Sequence, residues 1–292
     1  MDQLNLFVFG AGYSARAAID ALRREGGVEV SATTRTLQKA QDLTGSGIVP
    51  HLFEGTEPSE TVSAALAHAT HLLISIAPGP DGDPVLLHHG ADIVAAPRLR
   101  WIGYYSTIGV YGDADGAWID EGAATEPLSA RNRYRLDAEA RWRDLADGRN
   151  TPLAILRLAG IYGPGRSPFD KLRNGTARRI NKPGQVFNRI HVADIGAITA
   201  AAARAELSGI FNLADDEPAP PQDVIAQAAE LIGMAPPPEV AFEDADLSPM
   251  AKTFYAGNRR VSNAKIKSAL GHGLLYPTYR EGHAAILASE KG

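Results

Sequence analysis

Short, near-continuous apolar runs alternate with amphipathic stretches over the first 160 residues. The runs Leu4–Phe9, Val28–Thr33, Ile48–Phe53, His71–Ile76, Arg100–Ser106 and Leu153–Leu158 have strand length and little alternation. That is the pattern of strands buried on both faces of a parallel sheet. Helical patterns fill the gaps at Ser14–Arg24, Leu37–Leu43, Glu57–Ala67, Pro84–Ala95 and Ala130–Leu145. In the first of these, Ala15, Ile19 and Leu22 recur at i, i+4 and i+7, on one helix face. The repeating order predicts an α/β protein with a doubly wound parallel sheet and right-handed crossovers.

After Gly160 the rhythm breaks. Ile161–Asp170 reads as a Pro/Gly-rich loop and Gln185–His191 as a short strand. Val192–Ala203 reads as a helix of small residues, Gly209–Leu213 as one more sheet strand and Gln222–Ile232 as a helix. The expected organisation is a main domain over 1–160, completed by 192–214. A smaller substrate lobe is expected from 161–191 and 215–292.

Composition narrows the function. The chain has 292 residues, and 29 Lys plus Arg against 34 Asp plus Glu give a net charge of −5. That argues against nucleic acid or an anionic membrane as partner, since both select clustered positive charge. With no cysteine, disulfides, thiolate metal sites and cysteine nucleophiles are excluded. No apolar run has membrane-spanning length and no signal-peptide pattern opens the chain, so a cytoplasmic location is expected.

Gly10-Ala11-Gly12-Tyr13-Ser14-Ala15 lies at the first strand–helix junction and reads G-x-G-x-x-A. Gly10 permits a tight turn and Gly12 a close approach of pyrophosphate to backbone. Ala15 is small enough for the helix to pack on the strand, and the helix N-terminus favours an anion. The alternative is an ordinary structural turn. NAD sites usually carry an acid at the tip of the second strand, but here the strand ends Thr33-Thr34-Arg35. Arg35 suits a 2′-phosphate, which favours NADP over NAD, unless it is simply a solvated residue opening the next helix. Tyr13, Ser14, Ile76 and Ala77 complete the expected cofactor contacts.

Four motifs in order carry a resemblance over nearly the whole chain. They are the N-terminal GAGYSA, Tyr105–Gly112 (YSTIGVYG), Arg157–Gly165 (RLAGIYGPG) and Arg189–Ile195 (RIHVADI). On these the chain resembles the extended short-chain dehydrogenase/reductases, the NAD-dependent epimerase/dehydratase family, and most of all its atypical, YeeZ-like bacterial members. The resemblance implies a Rossmann-type sheet of about seven strands and a small C-terminal substrate lobe. It implies an oxidoreductase or epimerase-like activity on a small carbonyl, hydroxyl or nucleotide-sugar substrate. It also implies a Ser or Thr after the fifth strand, and a Tyr and Lys four residues apart on the next helix.

The Ser/Thr position falls on Thr107, with Ser106 beside it. Tyr134 is followed four residues on by Ala138, so it lacks the lysine. The flanking Pro127, Ser129 and Glu139 match the family pattern and place Arg131 at the Tyr position and Arg135 at the Lys position. An arginine stays protonated and cannot serve as the general acid/base. The two guanidinium groups are expected to face Thr107 as a clamp for an anionic substrate, the alternative being that both turn to solvent. A non-catalytic, NADP-binding scaffold or redox sensor is the competing function. A homodimer is compatible with the sequence.

Other candidates read as structural. His68 and His71 have metal-like spacing but no third ligand, and are expected at the surface; no metal site is expected. His88 and His89 point apart on a helix. His191 is expected to be a hydrogen-bonded structural residue. Asp113, Asp115, Asp120 and Glu121 form an acidic loop expected near the site mouth. In the resembled family the region of Arg178, Arg179, Lys182 and Arg189 contacts substrate phosphates; a solvated face is the alternative.

Overall fold

The computed structural model describes residues 3–290. Five strand–helix units open the chain: β1 (Leu4–Phe9), α1 (Tyr13–Glu25), β2 (Val28–Thr34), α2 (Leu37–Gly45), β3 (Val49–Leu52), α3 (Glu60–Leu66), β4 (His71–Ile74), α4 (Pro84–Ala95), β5 (Trp101–Thr107) and α5 (Ala130–Arg149). The strands Leu153–Leu158 and Gly209–Leu213 complete a seven-stranded sheet, with the helix Val192–Arg204 between them. Its order is Gly209–Leu213, Leu153–Leu158, β5, β4, β1, β2, β3. β1 pairs in parallel with β2 and β4, β2 with β3, and β4 with β5. This is the Rossmann-type doubly wound sheet expected from the sequence.

Local signals account for much of it. Central β4 and β5 are buried on both faces, hence their unbroken apolar runs. Asp83 caps α4 by accepting from the N–H groups of Val85 and Leu86, and Pro84 occupies the first turn, where its missing donor costs nothing. The carboxylate of Asp83 also accepts from the indole of Trp142, which fixes α5 against α4.

The structure corrects several boundaries. β3 is a short edge strand with Val49 and Leu52 exposed, not a buried run over Ile48–Phe53. β4 stops at Ile74, and the chain leaves the strand through Ser75 and bends at Ile76, its expected end. α3 begins at Glu60, after Pro58, instead of at Glu57. Of the expected Gln185–His191 strand only Arg189–His191 forms a strand, with Phe187 making a single antiparallel bridge to Ala219. His71 is buried rather than at the surface, with Nδ1 on the hydroxyl of Thr70 and Nε2 on the carbonyl of Ala203. A residue that opens a central strand lies inside the sheet whatever its polarity.

The chain divides into two compact units. The first comprises the residues up to Thr107, Ala130–Arg157 and Ile195–Phe211. Its most telling feature is a charged pair in the core. Arg157 donates to Glu139 through Nε at 3.1 Å and NH2 at 2.6 Å, and Ser106 donates to the same carboxylate. Glu139 is fully buried and Arg157 nearly so. One ionic group thereby joins β5, α5 and the strand Leu153–Leu158.

The second unit comprises Ile108–Ser129, Leu158–Asp194 and the residues from Asn212 onward. The sequence partition had put Ile108–Ser129 with the main domain. Tyr162, Phe169, Leu172, Ala228, Tyr279 and Ile286 form its core. Asp194 accepts from the N–H groups of Leu275 and Tyr276 at 2.6 and 3.2 Å, tying the C-terminal segment down. Its strands have two or three residues each and are held by partners far along the chain, such as Trp118–Ile119 with Arg260–Val261.

Glu139→Gln removes the counter-charge of a buried guanidinium and is expected to cost about 3–5 kcal/mol. The check is a fall in the urea midpoint at unchanged m-value; a loss under ~1 kcal/mol contradicts the pairing. In the second unit, burial pushes the Asp215 carboxyl up to about 8, against the opposing pull of Arg189. The folded form then holds a proton that the unfolded chain releases. Stability should therefore fall as pH rises from about 4 toward 8. Melting temperatures across that range should decline for the wild type and flatten in Asp215→Asn; equal slopes would contradict this reading.

Candidate functional site

The two glycines of the first turn are glycines for different reasons. Gly10 has φ +88°, and an added Cβ would lie 2.9 Å from Cγ1 of Ile76. The fold itself requires glycine there, because the turn after β1 passes directly over the end of β4. Its N–H donates to the buried hydroxyl of Thr33 on β2 at 2.9 Å. Gly12 is different. It adopts φ −82° and ψ −170°, which any residue accepts, and a Cβ there would meet no protein atom within 4 Å. Nothing inside the chain demands a glycine at this position.

Gly12 is also the N-cap of α1 and supplies no side-chain cap, so the helix N-terminus presents backbone donors and the positive end of its dipole. Ser14 and Ala15 are buried in the first turn of α1, and Tyr13 is half-buried. Ile76 and Ala77 follow β4 next to Gly10, Ala77 exposed. These positions form one rim at the carboxyl ends of β1 and β4, where open α/β sheets bind ligands.

Three exposed cations border this rim in sequence. Arg35 follows β2 and is exposed, immediately before Thr36, which caps α2 by accepting from Lys39. Arg16 is exposed on the first turn of α1, its Nε donating to the carbonyl of Ala11 at 3.3 Å. Sequence reasoning named Arg35 and missed Arg16 and Lys39. The signal for Arg16 was its place directly after the G-x-G-x-x-A motif.

At the end of β5, Ser106 and Thr107 part company. Ser106 is buried and held by Glu139, while Thr107 is half-buried at the carboxyl end of the strand. Arg131, Arg135 and Glu139 lie at i, i+4 and i+8 on one stripe of α5. Anchoring Glu139 in the core therefore turns Arg135 toward the end of β5. Its guanidinium donates to the carbonyl of Tyr105 and lies 5.9 Å from the centre of the Tyr104 ring. Asp83 and Arg135 attract one another nearby, although burial still holds the Asp83 carboxyl above its usual range. Arg131, one turn earlier, is exposed. The two arginines thus differ: one is bound to the backbone next to Thr107, the other reaches solvent.

The remaining candidates are held by the protein. Arg178 donates to the carbonyl of Asp246; Arg179 to those of Gln222 and Pro237 and to Glu239; Lys182 to that of Tyr255; and Arg189 to those of Phe187 and Ala219. This basic group is neither a plain solvated face nor an unengaged clamp. His191 is buried and accepts from the N–H of Ala193 at 3.1 Å. His89 is buried between α3 and α4, on Asp92 and the N–H of Ser59. In the acidic loop, Asp113 accepts from the N–H groups of Asp115 and Asn258, Asp120 from that of Gly122, and Glu121 from that of Asn212. Among the described residues no three His, Asp or Glu side chains converge as a metal site, and no helix is long and apolar enough to cross a membrane.

No family model matches the chain. Individual proteins do. The chain is 30% identical over 223 residues to protein YeeZ of Escherichia coli, covering 72% of this chain and 78% of YeeZ. It is 27% identical over 290 residues to a 3-diazoavenalumate denitrifying reductase from Streptomyces, covering 90% and 84%. Among solved structures, a functionally unknown conserved protein from Silicibacter pomeroyi superposes with a TM-score of 0.89 at 49% identity, covering 98% of this chain and 99% of that one. The UDP-glucuronic acid 4-epimerase from Bacillus cereus, solved in complex with NAD, superposes with a TM-score of 0.77 at 17% identity, covering 99% of each chain. The glycine turn at β1, the seven-stranded order and the YeeZ match together place this chain in the NAD-dependent epimerase/dehydratase family of extended short-chain dehydrogenase/reductases.

Proposed function

We propose that the chain is a nicotinamide-dinucleotide-dependent reductase, using NADP(H) in preference to NAD(H), for a small anionic substrate whose reduction takes no proton from a tyrosine. The observation that carries this reading is Gly12: a glycine that the fold does not need, at an uncapped helix N-terminus. Open space alone does not single Gly12 out, since other glycines have it; its place at the first strand–helix turn, at the start of α1, is what suits it to a pyrophosphate. Gly12 and the first turn of α1 would hold the pyrophosphate, Ile76 and Ala77 would border the nucleotide, and Arg35 would pair with a 2′-phosphate, helped by Lys39. The bound cofactor would supply the hydride. NAD in the Bacillus epimerase complex points to the commoner cofactor of the fold, so the choice of NADP rests on the arginine at the tip of β2.

Thr107 would orient the substrate atom next to the acceptor carbon. Arg135, fixed on the Tyr105 carbonyl, would keep positive charge beside it, and Arg131 would reach over from solvent to an anionic group of the substrate. A guanidinium group does not serve as a general acid. Suitable substrates are therefore those that accept hydride without a matched proton donor, or that take the proton from water. The Streptomyces relative is named as a denitrifying reductase of a diazo compound. When hydride adds to a diazonium carbon, the C–N bond breaks and dinitrogen departs, with no protonation required. A sugar epimerase mechanism, with a tyrosine cycling its proton, fits these positions less well. The second reading is a cofactor-binding scaffold without turnover, which the engagement of Arg135 with backbone also favours. The second unit would carry the substrate lobe.

Gly12→Val should lose cofactor binding while costing less than about 1 kcal/mol of stability, since its backbone is unstrained. Calorimetric titration together with urea unfolding checks both halves; a folded variant that binds normally contradicts the pose. Arg35→Ala should weaken NADP by about 10–150-fold and leave NAD unchanged, the equivalent of a charge-assisted contact of roughly 1.5–3 kcal/mol. Equal wild-type affinities for the two cofactors would overturn the preference. NADPH oxidation, assayed with small carbonyl acids, nucleotide sugars and an aryl diazonium carboxylate, separates reductase from scaffold. Arg131→Tyr combined with Arg135→Lys should raise carbonyl reduction and lower turnover of the carboxylate-bearing acceptor; the opposite pattern contradicts the anionic-substrate reading.

A further inference from the structure

Asn174 and Gly175 make the one Asn-Gly pair in the chain. They lie in the second unit, where the short helix Pro168–Arg173 ends. A glycine after an asparagine lets its backbone nitrogen approach the asparagine side chain, because it has no Cβ to obstruct the approach and few conformations closed to it. The surroundings are open too. Asn174, Gly175 and Thr176 are all exposed, and a Cβ on Gly175 would meet no atom of the described residues within 4 Å.

The side-chain amide is held by one neighbour. Its Oδ1 accepts twice from Thr176, from the N–H at 3.1 Å and from the hydroxyl at 2.6 Å. Both donors draw electron density from Cγ, and both stand where negative charge develops on Oδ1 when a nucleophile adds to that carbon. One restraint opposes the addition. The N–H of Gly175 donates to the carbonyl of Leu172 at 3.2 Å. Asn174 has φ −92° and ψ 5°, which turns the Gly175 nitrogen away from the Asn174 side chain. That bond closes the last turn of a six-residue helix at the surface, and helix ends of this kind open at little cost.

We propose that Asn174 is a site of spontaneous deamidation in the folded chain, promoted by Thr176 and gated by opening of the helix's last turn. The Gly175 nitrogen loses its proton and bonds to Cγ of Asn174. The Cγ–Nδ2 bond breaks, and Nδ2 leaves with that proton as ammonia. One water then opens the succinimide at either carbonyl, giving aspartate or isoaspartate. The product sets a carboxylate at the C-terminal end of the helix, against its dipole and four residues after Asp170. Isoaspartate also adds a methylene to the main chain just after Phe169 and Leu172, which are buried in the core of this unit. Both changes loosen the helix. The inference is independent of the cofactor reading.

The test is incubation of the full chain, folded and in urea, at neutral and mildly alkaline pH, followed by peptide mapping with mass spectrometry. In the folded chain Asn174 is expected to convert ahead of every other asparagine, faster as pH rises, because the attacking nitrogen must lose its proton. Thr176→Val, at an exposed position, keeps the N–H donor and removes the hydroxyl. It should slow conversion of the folded chain by about two- to tenfold, the worth of one hydrogen bond. In urea it should convert at the wild-type rate. Thr176→Ser restores the hydroxyl and should restore the folded-state rate. Asn174 still intact in the folded chain when other asparagines have converted would overturn the proposal. So would equal folded-state rates for Thr176→Val and wild type, or a slowing by Thr176→Val that is as large in urea.

Discussion

The buried Arg157–Glu139 ion pair is the constraint from which the active end of the first unit is built. Taking two charges out of water is expensive, and the pair returns little net stability compared with an apolar filling. What it supplies is position. Glu139 accepts from Arg157 on one side and from Ser106 on the other, so a single carboxylate sets the rotation of α5 against both β5 and the strand Leu153–Leu158. Leucines in those places could slide by a fraction of a turn; a carboxylate with three donors on it cannot. The stripe that leads from Glu139 back to Arg135 and Arg131 inherits that orientation, and Arg135 meets the backbone of β5 two residues before Thr107.

On the proposed reading, Arg131 and Arg135 stand where the resembled family carries its Tyr and Lys, an exchange that would touch chemistry more than architecture. Glu139 still anchors α5 in the core, and the turn that would hold a dinucleotide is formed. Such a site would keep its means of orienting hydride transfer and set positive charge where a proton relay would stand. That would suit acceptors carrying their own negative group.

Much of the fold was legible because its signals are local. β1, the strands Leu153–Leu158 and Gly209–Leu213, and α4 have the bounds that the apolar runs and the helical pattern predict. The edge strand β3 was overcalled, since an apolar run does not reveal that only one side of it has a neighbour. Of the short strands of the second unit only Arg189–His191 was foreshadowed, within Gln185–His191; the others were invisible for a related reason: two or three residues carry no periodicity, and their partners lie far along the chain. The site was legible in part. Gly10 and Gly12 were legible as turn and ligand approach, and the structure adds the contact with Ile76 that makes Gly10 obligatory and the open space beside Gly12. Glu139 and Arg157 were visible as letters in motifs, but two charged residues give no sign in sequence that they neutralise one another in a core. His71 misled because a histidine at the start of a strand reads as surface until the strand is found in the middle of the sheet.

The central claim is that a dinucleotide spans from Gly12 to Thr107, with its nicotinamide end beside the arginine-bearing face of α5. An intermolecular nuclear Overhauser experiment on protein labelled at threonine methyl groups, with saturating NADP, tests that most directly. Cross-peaks from nicotinamide ring protons to the Thr107 methyl are expected. Saturating cofactor with those cross-peaks absent, or found only at threonines remote from the end of β5, would contradict it.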